Sequence, residues 1–438
     1  MIKKELKIAV IGGGSSYTPE LVDGLIRHYD ELPVKQLYLA DIEAGREKLQ
    51  IVGNLAKRMV ERAGMPIDIH LTLDRREAIK DADFVSTQIR VGLLDARVRD
   101  ERLPAGLGLI GQETTGAGGF AKALRTVPVI LDICRDMREL SPNAFLLNFT
   151  NPAGIVTEAV LKYGGIKTIG LCNLPIGTRM QVAKAFDVDV DRVYIEMAGI
   201  NHLNWTTRIE VDGQDVTNNF LTKAAAASGL TMKNIPDLGW DEEFLVSLGA
   251  LPCAYHRYYY LKDEMLAQQQ EDLKTKGSRA DIVKKVEAEL FELYKDPELS
   301  VKPPQLELRG GAYYSETAVQ LMTSIHTNKK DIQIVNVRNN GIIPCLPDEV
   351  CVEVNAVVDA AGAHPLQLSK PLRPQMRGLL QVVKAYEELT VEAAVHGDYH
   401  AALQALSIHP LVGTAAAAKA VLDDLLAAHR EYLPQFHN

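Results

Sequence analysis

Residues 7–21, KIAVIGGGSSYTPEL, confine the chain to a narrow set of folds. A short apolar run leads into three glycines and then Thr18-Pro19, by type an N-cap and a first helical residue. A strand that turns through glycines into a helix offers uncrowded backbone N–H groups at a helix N-terminus, which favours a pyrophosphate. Gly12, Gly14, Ser15 and Ser16 are the candidate contacts, although Tyr17 stands where the usual fingerprint has its third glycine. The next run, QLYLADI (36–42), ends near Asp41. A carboxylate there accepts ribose hydroxyls and repels a 2′-phosphate, so NAD is expected rather than NADP. A glycine-rich turn in an α/β domain that binds no nucleotide is the competing reading, and Asp41 weighs against it.

The same alternation continues. DIHLTL (68–73), DFVSTQI (83–89), AFLLNFT (144–150) and TIGLC (168–172) read as strands, with helical stretches at 19–30, 43–63, 120–139, 152–163 and 176–187. This pattern predicts a parallel sheet with helices on both faces, and ligands at the carboxyl ends of its strands. After about residue 190 the pattern changes. VYIEMAGIN and LNWTTRIEVDG read as antiparallel strands closed by Asp212-Gly213. Helices are expected at 241–249, 262–275, 279–295 and within 365–435, with part of KDEMLAQQQEDLKTKGSRADIVKK as a surface loop. A chain of 438 residues exceeds one ordinary domain. We therefore expect an NAD-binding, Rossmann-like doubly wound domain over 1–190 and an α+β domain over 191–438 for substrate, metal and oligomer contacts.

Composition narrows the function. With 47% hydrophobic and 24% charged residues the chain is a well-cored soluble protein. Its net charge of −9 argues against nucleic acid or an anionic membrane as partner. No eighteen-residue apolar run is present to span a bilayer. Five cysteines without paired metal-finger spacing fit a reducing cytoplasm. An anionic group on a substrate must then be met by a few local arginines.

Unusual side chains gather at the predicted strand ends. Arg90, Arg97, Arg99 and Arg102 precede a flexible GQETTGAGG segment that holds Glu113. Arg99 and Arg102 read as surface ion pairs, whereas Arg97 and Glu113, beside such a loop, read as site residues. Asn148 and Asn151 end the next strand before Pro152, and Asn151 suits an N-cap as well as a ligand contact. Cys172 in IGLCNLPIG and His202 in AGINHLNW are both of ligand type. Together they would form an incomplete metal shell that leaves positions for substrate oxygens and holds its ion loosely. LPCAYHRYYYLKDEM (251–265) packs four tyrosines, His256 and Arg257 into six residues. In an extended segment Tyr255 and Arg257 share a face, and a nearby cation stabilises a phenolate that otherwise forms near pH ~10. Tyr258 to Tyr260 read as aromatic packing.

IGGGSSYTPEL, QIRVG, GQETTGAGG, NFTNPAG, GLCNLPIG, GINHLNW and CAYHRYYY, in that order, resemble glycoside hydrolase family 4 along essentially the whole chain. NAD-dependent members of that family are exceptions to two-carboxylate glycoside hydrolysis. The resemblance implies a lactate/malate dehydrogenase-like N-terminal domain. It also implies hydrolysis of 6-phospho-β-glucosides, such as cellobiose 6-phosphate, to glucose 6-phosphate and an aglycone. The route implied is C3 oxidation, C2 deprotonation, elimination, water addition and re-reduction, with NAD and a divalent metal, usually Mn²⁺. Carried over by residue, Cys172 and His202 are the metal ligands, Tyr255 is the base and Glu113 tunes its basicity. Arg97, Asn151, Asn173 and Arg279 match substrate-binding positions, the arginines as candidates for the 6-phosphate; Gly12, Gly14, Ser15, Ser16, Asp41 and Asn148 fall at the cofactor. Members that cleave α-linked substrates resemble Cys-Asp where this chain has Cys172-Asn173, and an amide cannot act as an acid, so the β-linked class is implied. Thiolate and imidazole are softer than Mn²⁺ prefers, a tension the resemblance leaves in place. Family habit implies a cytoplasmic homodimer or homotetramer. The alternatives are a 6-phospho-α-glucosidase, a phosphogalactosidase, a hydroxy-acid dehydrogenase that accumulates NADH, or a non-catalytic NAD-binding regulator.

Overall fold

The six apolar runs of the first 170 residues become strands β1 (Leu6–Ile11), β2 (Val34–Ala40), β3 (Asp68–Thr72), β4 (Phe84–Thr87), β5 (Phe145–Asn148) and β6 (Lys167–Gly170). The structure is a computed structural model that describes residues 5–226, 235–309 and 313–437. These strands pair in parallel in the order β3-β2-β1-β4-β5-β6. That is the doubly wound order, in which right-handed crossovers place helices on both faces. Strands β4 and β5 are buried along their whole length, as expected where helices cover both faces of a parallel sheet.

The remaining described strands are β7 (Val193–Ile200), β8 (Leu203–Val211), β9 (Gln214–Asp215), β10 (Leu251–Pro252), β11 (Asp331–Arg338), β12 (Cys351–Asp359) and β13 (Gly362–Pro365). They extend the same sheet. Strand β11 meets β6 in antiparallel sense through Asn336 and Gly170, and β12, β7, β8 and β10 follow. The change of pattern near residue 190 thus marks a switch from parallel to antiparallel pairing within one unbroken sheet.

Several local expectations change. Asp212 (φ 52°) and Gly213 (φ 75°) close the small β8–β9 hairpin. The β7–β8 hairpin is closed instead by Asn201 and His202. The helices expected at 262–275 and 279–295 are present as Lys262–Thr275 and Arg279–Lys295, and the expected loop shrinks to residues 276–278, because Ser278 and Asp281 form a capping box that starts the second helix at once. The helix after the glycine turn runs Thr18–Arg27 with Tyr17 as N-cap. Thr18 donates to the Gly13 carbonyl at 2.8 Å and so pins the turn. Residues 254–260 coil into a 3₁₀ turn and one helical turn, so Tyr255 and Arg257 do not share an extended face. Arg99 and Arg102 lie in surface ion pairs with Glu431 and Asp281, as expected. No helix among the described residues is long and apolar enough to cross a membrane.

One buried ion pair locks the helices that frame the site. Asp100, on the helix Leu93–Gly106, receives two 2.8 Å hydrogen bonds from Arg125 on the helix Gly116–Leu140. His429, from near the C-terminus, lies 3.0 Å from the same carboxylate. Asp100→Ala strands the Arg125 charge in the interior and should cost about 3–5 kcal/mol in urea unfolding. The pair holds the Asp100 carboxyl below its ordinary value against the effect of burial. Its contribution is therefore complete above the unfolded carboxyl pKa of about 4 and disappears as the pH falls below it. The alanine variant should lose that part of the wild-type acid sensitivity.

Candidate active site

A cavity of about 860 Å³ opens at the carboxyl ends of β1, β2 and β4, where the strand order reverses. Gly12, Gly14, Ser15, Asp41, Lys48 and Arg90 line its walls. Gly12 has φ +88°, and a Cβ there would lie 2.9 Å from the Gln88 carbonyl oxygen. A Cβ on Gly14 would lie 2.8 Å from an Asp41 carboxylate oxygen, and the Gly14 N–H donates to that same atom at 2.8 Å. The Ile42 N–H, at 2.8 Å, holds the other oxygen. The glycine turn thus aims the Asp41 carboxylate into the cavity.

Two cofactor expectations are redirected. Ser16 is buried, and its hydroxyl donates to Glu287 at 3.3 Å. Asn148 is fully buried and outside the cavity wall. Its carbonyl accepts from the Thr150 N–H and the Thr87 hydroxyl, both at 3.1 Å, and its amide donates to Thr157 at 3.0 Å. The strand-end turn consumes its hydrogen-bonding capacity, so it shapes the wall from behind.

The neighbouring strand ends build a second centre. Cys172 follows β6 and precedes the helix Leu174–Phe186, which Pro175 helps to start. His202 occupies the two-residue β7–β8 turn at φ +64°, a left-handed conformation costly for a ring-bearing residue. There its Nε2 lies 3.7 Å from the Cys172 Sγ, while Nδ1 lies 3.0 Å from the Thr114 hydroxyl. Fixing the far nitrogen aims the near one, the usual arrangement for a ligating imidazole. An ion at ordinary thiolate and imidazole distances, with a tetrahedral angle between them, spans about 3.6 Å. The pair therefore fits one divalent ion. No group of three or more His, Cys, Asp or Glu residues suited to a metal occurs among the described residues, which leaves open coordination positions on any ion held here. Burial pushes His202 down to about 3, keeping the imidazole neutral and able to ligate. Burial and the nearby Glu353 charge raise the Cys172 thiol, so an ion must offset the cost of its thiolate.

Tyr255 stacks on His202 with ring centroids 3.8 Å apart and planes 10° apart. Arg257 turns away: it donates to the Leu238 carbonyl at 2.8 Å and lies over Trp240. Its guanidinium is thus engaged with Leu238 and Trp240. Glu113 meets Arg90 at 2.5 Å, Arg97 at 2.9 Å and Lys122 at 2.8 Å. These charges hold its carboxyl well below the ordinary value despite burial. Burial and Arg90 push Lys122 down to about 7. Arg97 bridges Glu113 and Glu101 (2.7 Å), so its guanidinium clamps the Glu113 segment that also carries Thr114. Asn151 lines the cavity and accepts from the Ala153 N–H at 3.3 Å. Asn173 sits at the helix N-cap position, although its side chain makes no capping bond.

Arg279 begins the helix Arg279–Lys295, and one of its terminal nitrogens lies 3.5 Å from the Arg309 carbonyl. Among the described residues the buried Nε of each arginine has no partner, although a terminal nitrogen of Arg309 lies 3.7 Å from Glu287. The Arg279 guanidinium is pushed down by burial and by the positive charges of Arg97 and Arg309. Two adjacent guanidiniums short of acceptors suit an anion. Sequence reasoning missed Arg309, Thr114, Lys122 and Glu353. Glu353 left a signal, a charged residue within the otherwise apolar start of CVEVNAVV; the other three left none.

Residues 7–188 match the family described as "Family 4 glycosyl hydrolase", and residues 197–412 match "Family 4 glycosyl hydrolase C-terminal domain". The chain belongs to glycosyl hydrolase family 4. A probable 6-phospho-beta-glucosidase of Bacillus subtilis is 57% identical to this family 4 chain over 437 residues, 99% of each. The 6-phospho-beta glucosidase of Thermotoga maritima, solved with manganese, NAD⁺ and glucose-6-phosphate, superposes with a TM-score of 0.88 at 36% identity, covering 98% of this chain and 99% of that one. A malate dehydrogenase of Plasmodium falciparum shares the fold at 16% identity and a TM-score of 0.52, covering 89% of this chain and 98% of its own.

The Cys172–His202 pair of this family 4 chain, as a candidate ligand pair, predicts a clean separation of binding functions. Cys172→Ser and His202→Ala should each weaken binding of added Mn²⁺ or Co²⁺ by at least about tenfold in equilibrium dialysis. NAD affinity should stay near wild type, because neither residue lines the glycine-turn cavity.

Proposed function

We propose that this family 4 enzyme hydrolyses 6-phospho-β-glucosides to glucose 6-phosphate and an aglycone, with NAD and a divalent ion, Mn²⁺ foremost, as cofactors. The observation that carries the reading is the 3.7 Å Cys172–His202 pair with the Tyr255 ring stacked on it, close to a cavity built for a dinucleotide. The names of its relatives and structural neighbours supply the substrate class and both cofactors. When bound, NAD supplies a reversible hydride acceptor and the ion a Lewis acid for the sugar's oxygens.

The chain's own residues do the rest. Asp41 takes the ribose hydroxyls of the nucleotide. Cys172 and His202 hold the ion, and Thr114 keeps the imidazole facing it. Tyr255 removes the C2 proton, made acidic once C3 is a ketone. The C1–oxygen bond then breaks by elimination, water adds to the resulting enone, and hydride returns to C3, so the cofactor shows no net change. Arg279 and Arg309 receive the 6-phosphate dianion, while Arg97 holds Glu113 and the His202-supporting segment in place. Asn151 and Asn173 contact the sugar, and Asn173, which has no acidic proton, marks the β-anomer. We assign the protein to the cytoplasm as a homodimer or homotetramer, a reading supported by its five free thiols and by family habit.

Hydrolysis of a 6-phospho-β-glucoside, with and without NAD, Mn²⁺ and reductant, tests the reading directly. Turnover should require the phosphate, the β-anomer and both cofactors, and no NADH should accumulate. Stoichiometric NADH would indicate a dehydrogenase, and equal turnover of the α-anomer would remove the anomer assignment. Tyr255→Phe should lower kcat by roughly 10²–10⁴-fold with little change in KM, the usual loss on removing a positioned base. Arg279→Ala should raise KM for the phosphorylated substrate while leaving thermal stability near wild type; an unchanged preference for phosphorylated over plain glucoside would remove Arg279 from the phosphate site.

A further inference from the structure

Strand β12 carries a carboxylate that the chemistry above does not use. Glu353 is fully buried, with no lysine, arginine or histidine at ion-pair distance among the described residues. By contrast, the buried acids Glu113, Asp100 and Glu158 each face a cation: Lys122, Arg125 and Lys384 respectively. A buried carboxylate without a cation is expensive and persists only where its surroundings supply hydrogen bonds or a positive charge. Glu353 has the hydrogen bonds. Oε1 accepts the Asn201 amide at 3.1 Å and the Asn336 amide at 2.9 Å, and Oε2 accepts the Asn204 amide.

The three donors come from the elements that carry the site. Asn201 shares the β7–β8 turn with His202. Asn336 pairs with Gly170 at the end of β6, two residues before Cys172. Asn204 accepts, through its backbone carbonyl, the Cys253 N–H at 3.1 Å, where the turn bearing Tyr255 begins. One carboxylate therefore ties together the three chain segments that present Cys172, His202 and Tyr255. The side-chain amide oxygens of Asn204 and Asn336 are themselves buried and, among the described residues, without partners.

We propose that Glu353 is a positioning residue for the divalent ion: it fixes the spacing and orientation of the two ligands and contributes the buried negative charge that the ion balances. The proposal rests on the assignment of Cys172 and His202 as the ligand pair. It accounts for the cost of the buried carboxylate, which the ion repays on binding. It also explains how two ligands can recruit an ion they would otherwise hold weakly.

The test is Glu353→Gln in the full-length protein, titrated with Mn²⁺ and followed by the electron paramagnetic resonance signal of the free ion. Mn²⁺ affinity should fall by roughly 10–100-fold, the usual loss when the support of a ligand is removed, while NAD affinity changes by less than about twofold. The thiolate-to-metal absorption of the Co²⁺-loaded protein should weaken in parallel, a signature that a change in stability alone would not move. Mn²⁺ affinity within about twofold of wild type would overturn the proposal. Asn201→Ala, which keeps the carboxylate, cuts its link to the His202 turn and also removes the Asn201 hydrogen bond to Cys172, should show a smaller loss in the same direction. If the glutamine variant does not fold, an unchanged Mn²⁺ affinity in Asn201→Ala overturns the proposal instead. His202→Ala that bound Mn²⁺ as tightly as wild type would bring down the ligand pair itself, and Glu353's role with it.

Discussion

Everything at this site depends on one turn. Strands β7 and β8 reverse in two residues, Asn201 and His202, and the second adopts φ +64°. Such a turn favours glycine or asparagine, because a ring-bearing side chain there costs about 1–3 kcal/mol. The surrounding contacts hold it: Thr114 on one ring nitrogen, Cys172 facing the other, Tyr255 across the ring, and Glu353 through the adjacent Asn201. A residue such as glycine would relax the backbone and remove the proposed ligand, so the strain has a functional reading.

The second organising feature is charge. A chain with net charge −9 gathers Arg90, Arg97, Arg279, Arg309 and Lys122 around a narrow region of its sheet edge. They do not all serve one purpose. Arg90, Arg97 and Lys122 meet Glu113 and fix the segment that supports His202. Arg279 and Arg309 each keep a buried Nε–H without an acceptor among the described residues and repel one another, an arrangement that a dianion resolves.

Much of this was legible in the sequence, and the exceptions have physical causes. The central strands β1, β4 and β5 are apolar runs because helices bury both faces, so their pattern survives without tertiary information. Strands β11 and β12 went unread because Asn336, Glu353 and Asn355 interrupt the pattern; the Asn336 amide meets Glu353, and Asn355 meets Met197 and Ile195, only once the sheet is formed. The Cys172–His202 pairing could be guessed from residue type at strand ends. The direction of Arg257 could not, because it depends on whether residues 254–260 repeat every two residues or every three to four, and the segment is helical. Asn148 carries a ligand-type amide, but its strand-end turn uses up its hydrogen bonds. Residue type signalled chemistry well; it did not say which way a side chain would turn.

In the proposed mechanism a proton leaves C2 of the sugar before the glycosidic bond breaks, with Tyr255 as its acceptor. The most direct measurement is hydrolysis of a 6-phospho-β-glucoside in D₂O, with nuclear magnetic resonance of the glucose 6-phosphate released. Deuterium is expected at C2, because the carbon loses its own hydrogen and regains one from solvent. Product with its full complement of ¹H at C2 would contradict it, since displacement at C1 never opens that bond.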